Sequence, residues 1–212
     1  MHTRLLQSEI IDDPSLPARI WDEVHRDLDR MHRWLGNYRA IFSRLERARS
    51  VMDIGCGNGA LLRRYLQGRR DVRAVGVDLR PPVEPHSGIA FLALDATCDQ
   101  LPEADAAVSL CVLHHLSESQ LIALIRNSRR SVRRLILVDL VRHHTPLWLF
   151  RRFVAPLVHP ITAADGITSI QRAWTPAELA GLVRTAVDGT GASCQHAVAP
   201  FGIRQVVEIT WR

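Results

Sequence analysis

Residues 51–60 read V-M-D-I-G-C-G-N-G-A, an apolar run that passes through Asp53 into Gly55, Gly57 and Gly59 and opens directly onto a helical pattern. Glycine lets a backbone approach a ligand where a Cβ would collide, and a helix N-terminus offers unpaired N–H groups to polar or anionic atoms. Nineteen residues after Gly59, Asp78 closes the next apolar segment, A-V-G-V-D. A carboxylate there can accept both hydroxyls of a ribose. Together these residues describe a site for a nucleoside-type cofactor at the carboxyl edge of a parallel sheet, with Cys56 and Asn58 in the loop and Leu79 beside Asp78.

Outward from this loop, short apolar segments alternate with helical ones. Strands are expected at 51–54, 74–77, 89–94, 106–113 and 135–140, with helices near 59–67 and 117–130, the second opened by Ser117 and Gln120 at capping-box spacing. Such alternation makes a mostly parallel sheet covered on both faces. Ahead of it, Ile20, Trp21, Val24, Leu28, Met31 and Leu35 recur at helical spacing up to Gly36, and Tyr38, Ile41, Phe42, Leu45 and Ala48 suit a second helix. After the fifth strand comes an apolar, Pro-interrupted stretch, T-P-L-W-L-F-R-R-F-V-A-P-L-V-H-P-I-T. Thr175, Pro176 and Glu178 then start a helix reaching about Val187, and 192–199 with 203–211 read as an antiparallel hairpin.

The chain is 212 residues long, 47% apolar and 23% charged, which suits one soluble domain. Its expected parts are a helical cap at 1–49, a cofactor core at 50–140, a lid at 141–173 and a closing helix and hairpin at 174–212. No apolar run approaches the roughly 20 residues of a membrane helix and no signal-type segment opens the chain, so a cytoplasmic location is expected. All 27 basic residues are Arg. Without Lys there is no Schiff-base lysine, P-loop lysine or Tyr-x-x-x-Lys pair. The net charge of +5 comes from this Arg usage and reads as a solvated surface, which makes nucleic acid an unlikely partner. Cys56, Cys98, Cys111 and Cys194 lie far apart and fit neither a disulfide framework nor a closed zinc site.

Gly55, Gly57 and Ala60 alone also fit the G-x-G-x-x-A of a dinucleotide fold. Asp53, two residues before the first Gly, Leu94-Asp95-Ala96 at the end of the third strand, and the closing hairpin separate the two readings. As a set they resemble the class I S-adenosylmethionine-dependent methyltransferases over roughly residues 50–212. The resemblance implies a seven-stranded Rossmann-like sheet with a reversed final strand. It also implies Gly55, Gly57 and Gly59 under the methionine part of S-adenosylmethionine, Asp53 serving its amino group, Asp78 and Leu79 at the ribose, and Asp95 and Ala96 beside the adenine. Leu110 on the fourth strand would also contact the cofactor, and S-adenosylhomocysteine would be the product. The competing role of Asp78 and Asp95 is to cap the loops that follow them.

The fourth strand runs out as S-L-C-V-L-H-H-L, residues 109–116, which carries neither an Asn/Asp-Pro-Pro-aromatic tetrad nor a Pro-Cys pair. The form resembles small-molecule methyltransferases in which the His before the Leu holds or deprotonates the acceptor. That position is His115, with His114 and His144 as further candidates; an imidazole of ordinary pKa takes a hydroxyl proton near neutrality. Packing or capping is the competing role, chiefly for His114. His143 and His144 follow the fifth strand with Asp139 and Arg142 nearby, and their spacing to Asp165 matches no recognised metal-ligand pattern, so no metal is expected. Trp148, Leu149, Phe150, Phe153, Val154, Leu157 and Val158 are read as a lid favouring a hydrophobic acceptor, while Arg151 and Arg152 among them also suit a membrane surface or carrier protein.

E-I-I-D-D-P-S-L-P (9–17) and A-D-G-I-T-S-I-Q-R-A-W-T-P-A-E-L (164–179) further resemble methyltransferases of the ubiquinone and menaquinone branch and those associated with type III polyketide synthases. That resemblance implies phenolic, quinone or pyrone acceptors, although Ala164 stands where the branch carries His. The alternatives are an RNA or protein methyltransferase, prompted by R-R-S-V-R-R (129–134), a non-catalytic cofactor-binding module, and a nicotinamide dehydrogenase.

Overall fold

The computed structural model describes residues 1, 3–13, 15–82 and 88–211. Strands β1 (Ser50–Ile54), β2 (Arg73–Asp78), β3 (Ile89–Ala93), β4 (Ala104–Leu110), β5 (Val132–Asp139), β6 (Ser193–Val198) and β7 (Gln205–Thr210) form one sheet in the order β3-β2-β1-β4-β5-β7-β6. The first five are parallel, and β7 runs antiparallel to both β5 and β6. This is the mostly parallel seven-stranded sheet with a reversed final strand that the sequence implies.

Side chains alternate across the pleat, so each strand feeds two cores. Met52, Ile54, Val75 and Leu135 face α4 (Glu118–Ser128) and α7 (Pro176–Val187). Val51, Ala74, Ile136 and Val138 face α2 (Asn37–Phe42) and α3 (Ala60–Tyr65). The capping boxes at Ser117/Gln120 and Thr175/Glu178 are both formed.

Three stretches differ from the sequence expectation. The fourth strand stops at Leu110 because Cys111 adopts φ 56°, which turns the apolar V-L-H-H-L tail into a short 3-10 turn with Leu113 fully buried. The fifth strand starts earlier, at Val132, so charged Arg133 and Arg134 lie within it. The stretch read as Pro-interrupted is almost wholly helical. It forms α5 (His144–Leu149), a wider π-type turn over Phe150–Val154, a 3-10 turn and α6 (Pro160–Arg172). Pro160 sits in the first turn of α6, where its missing N–H costs nothing, so it starts a helix.

The residues read as a lid divide. Leu147 and Phe150 pack with Met31 of α1 (Ala18–Trp34) and Ile170 of α6, and the Phe150 ring lies where a Cβ on Gly166 would be 2.2 Å away. Trp148, Phe153 and Leu157 face outward, because the buried stripe of this helix is already taken by Leu147 and Phe150. Among the described residues, no helix is long and apolar enough to cross a membrane.

Candidate active site

All five parallel strands end on one edge, and the strand order reverses between β1 and β4, which leaves a crevice there. The glycine loop fills its floor. Gly55 and Cys56 donate their N–H groups to the Val77 carbonyl at 2.7 and 3.2 Å. Gly55 has φ 74°, and a Cβ on it would lie 2.3 Å from a Val112 methyl, so both conformation and space require glycine. Gly57 N–H donates to Asp78 Oδ2 and Arg80 N–H to Asp78 Oδ1, each at 2.9 Å. Asp78 therefore caps its own loop and keeps a lone pair on each oxygen for further donors. Asp95 Oδ1 accepts from the Thr97 N–H (2.8 Å) and hydroxyl (2.7 Å), and these bonds hold its carboxyl below the ordinary range. Asn58 Oδ1 accepts from the Ala60 N–H at 3.0 Å and opens α3. Around this floor Leu79 is exposed, Ala96 is buried and Leu110 is half-buried.

Asp53 is the least satisfied group at this edge. The residue is 2% exposed, and no hydrogen bond or ion pair reaches its carboxylate from the described residues. Burial, with help from nearby Asp78, pushes it up to about 7. A buried carboxylate without a partner is costly, and a cationic ligand group in the crevice would remove that cost. The residues present thus fit a cofactor that carries an ammonium and a ribose diol.

A second cluster lies at the ends of β4 and β5, under a strap formed by residues 9–12. His114 has a carboxylate on each ring nitrogen, Asp139 Oδ1 at 2.7 Å from Nδ1 and Glu9 Oε1 at 3.3 Å from Nε2. Burial works against its charge, but Asp139 and Glu9 outweigh that and push it up to about 9. His115 is more open, with Nδ1 3.4 Å from Asp12 and Nε2 3.8 Å from Glu9. Asp165 holds the strap by accepting the Ile10 and Ile11 N–H groups at 2.7 and 2.9 Å, and Ser169 donates to Glu9 at 2.8 Å. Arg172 Nη1, buried and without a hydrogen-bond partner among the described residues, lies 3.7 Å from Glu9 and 3.9 Å from Asp12. Glu9, His114 and His115 could gather around a cation. At neutral pH, however, a protonated His114 donates from Nε2 and offers no lone pair there.

The structure brings His114, His115 and Asp139 together and leaves His144 elsewhere, exposed and bonded to the Met1 amine. His143 caps α5, and Arg142 pairs with Glu178, so His143, His144 and Asp165 do not converge. Glu9, Asp12 and Arg172 were not singled out from the sequence. The acidic E-I-I-D-D stretch was the signal for Glu9 and Asp12, but only the fold shows what they reach. The basic run 129–134 lies at the amino end of β5, on the sheet edge opposite the glycine loop. A groove of about 1180 Å³ between α1 and α3, lined by His25, Arg26, Arg63 and Asn58 among others, reaches the loop from the side. It lies beside the crevice and draws most of its lining residues from charged and polar types, whereas the strap covers the His115 side.

Strand order, reversed β7 and glycine loop define the class I methyltransferase fold. No family model matches the chain. Among solved structures it is similar to the plantazolicin methyltransferase BpumL in complex with SAH, with TM-score 0.70, 12% identity, and 95% of this chain and 93% of that one covered. It is also similar to human N-acetylserotonin methyltransferase in complex with SAM, with TM-score 0.62, 17% identity and 89% and 55% covered. In sequence, 90 residues are 31% identical to the cephaeline 6'-O-methyltransferase CiOMT of Carapichea ipecacuanha. That match takes in 41% of this chain and 25% of the plant protein's length.

Proposed function

We propose that this chain transfers a methyl group from S-adenosylmethionine to oxygen or carbon of a small hydrophobic aromatic acceptor, a phenol, quinone or pyrone. The observation that carries the cofactor assignment is the buried, unpartnered Asp53 beneath the positive-φ glycine loop, beside Asp78. The fold shared with structures holding SAM or SAH supports the same reading, and the short match to an O-methyltransferase supports an oxygen acceptor. In this reading 1–49 cap the site, 50–140 hold the cofactor, 141–173 cover the acceptor and 174–212 complete the sheet.

When bound, S-adenosylmethionine supplies an electrophilic methyl carbon on a sulfonium, open to in-line displacement. The protein's task is alignment and exclusion of water. Gly55 to Gly59, Asp53, Asp78 and Asp95 hold the cofactor. His115 Nε2, with no carboxylate within hydrogen-bond distance, takes the acceptor's hydroxyl proton, and Asp12 beside Nδ1 orients the ring. His114 is a fixed cation that anchors Glu9, and His144 is too remote in the network to share the proton. The basic run 129–134 lies on the opposite sheet edge and does not line this site.

The test is formation of S-adenosylhomocysteine from S-adenosylmethionine with a panel of phenols, quinones and pyrones. Turnover on one of these, abolished by Asp78→Ala, supports the reading. Cofactor binding without turnover on any acceptor class would instead favour a non-catalytic module.

A further inference from the structure

From Leu140 to Ala164 the chain contains three Arg and three His and no Asp or Glu, an acid-free stretch in a protein with 22 acidic residues. This is the segment whose outward face is apolar. Trp148, Phe153 and Leu157 are 60%, 54% and 64% exposed, and Arg151 and Arg152 stand exposed between them. The π-type turn over Phe150–Val154 explains the grouping. In a regular α-helix residues five apart diverge by roughly 140°, whereas a turn closed between residues i and i+5 aligns them. Trp148 and Phe153 consequently meet edge to face with centroids 5.7 Å apart.

A second element carries another aromatic beside the same helix. The turn Pro200–Gly202 between β6 and β7 packs against α5, where a Cβ on Gly202 would sit 3.9 Å from Pro146. Its Phe201 is held at φ 59° and is 73% exposed. A bulky side chain in the left-handed region is strained, and an exposed ring gains little packing in return.

We propose that the face formed by Trp148, Phe153 and Leu157 with Arg151 and Arg152, joined by Phe201 on the neighbouring turn, docks on an anionic lipid bilayer. Aromatic and aliphatic side chains enter the headgroup boundary, and adjacent guanidinium groups meet lipid phosphates. Charge selects the occupant, since an acid-free stretch of chain carrying Arg fits a negative surface. The opposite side of the same helix packs, through Leu147 and Phe150, over the cap and α6, so docking would place the lid between the site and the bilayer. The proposal does not depend on methyl transfer.

The test is co-sedimentation of the purified chain with vesicles of phosphatidylglycerol and phosphatidylcholine, or of phosphatidylcholine alone, at low and high salt. Binding at least about tenfold tighter to the anionic vesicles is expected, weakening with salt. Trp148→Ser with Phe153→Ser should reduce it about tenfold with the melting temperature unchanged, and Arg151→Gln with Arg152→Gln should remove the anionic preference. Phe201→Gly should weaken binding while leaving the melting temperature unchanged or higher, because glycine relieves the strain. Absence of binding to either vesicle, or binding unaffected by the aromatic pair, would overturn the proposal. A concentration-dependent dimer dissolved by that pair, without vesicle binding, would assign the face to a second copy of the chain and overturn it equally.

Discussion

The carboxylate of Asp139 accepts two hydrogen bonds from His114, from its backbone N–H at 2.8 Å and from ring Nδ1 at 2.7 Å. One side chain at the end of β5 thereby fixes both the path of the chain after β4 and the protonation of the imidazole. His114 passes that constraint on to Glu9, which ties the strap to the sheet edge.

His114 titrates at about 9 in the folded chain against about 6.5 unfolded. Its contribution is therefore complete below about pH 6.5 and lost as pH rises through about 9. By the worth of a pKa unit the span is on the order of 3 kcal/mol. Denaturant unfolding between pH 6 and 9 should show this decline, and His114→Gln should lower stability at pH 6 and flatten the profile. An unchanged slope in the variant would contradict the assignment.

His115→Asn should lower kcat by about 10²- to 10⁴-fold for a hydroxyl acceptor, the range of a lost general base, with cofactor affinity unchanged. Steady-state kinetics and calorimetry on the same preparation separate the two effects. A variant with wild-type kcat would return His115 to a packing role.

Asp53 is raised to about 7 by burial and by Asp78, so its ionised form is penalised: stability is greatest near and below the unfolded pKa and falls as pH rises through about 7. Asp53→Asn should stabilise the ligand-free chain at pH 8, by roughly 1–3 kcal/mol given incomplete transfer of the shift, while weakening cofactor binding. Binding of an ammonium-bearing ligand to the native chain should release protons near pH 7. Calorimetry in buffers of different ionisation enthalpy reads that release, and heats independent of buffer would contradict it.

Asp165 accepts both N–H groups of the strap, and burial raises its pKa despite them. Asp165→Ala should speed hydrogen exchange at Ile10 and Ile11 by tenfold or more, the loss of two charge-assisted bonds. Amides in β4 and β5 should be unaffected. Equal exchange at Ile10 and Ile11 in both proteins would show that the strap is held by other contacts.

The sheet was legible because its information is local. Glycines at 55, 57 and 59, short apolar segments and two capping boxes each specify structure within a few residues. The strap was not legible, since Glu9 and Asp12 acquire meaning only by meeting His114, His115 and Arg172, more than a hundred residues away. The outward turn of Trp148 and Phe153 was hidden for another reason: apolar content marks burial on average, and only the π-type turn shows which side of the helix they occupy. Asp78 and Asp95 perform the loop-capping role that competed with ligand binding, and they retain capacity for both.

The central claim is that the glycine loop, Asp53 and Asp78 form a site for S-adenosylmethionine. Calorimetric titration with S-adenosylmethionine and S-adenosylhomocysteine, with NADH as control and Asp78→Ala alongside, tests it most directly. Micromolar binding of both adenosyl ligands, no binding of NADH and at least a tenfold loss in Asp78→Ala is the predicted result. Preference for NADH, or no binding of either adenosyl ligand, would contradict it.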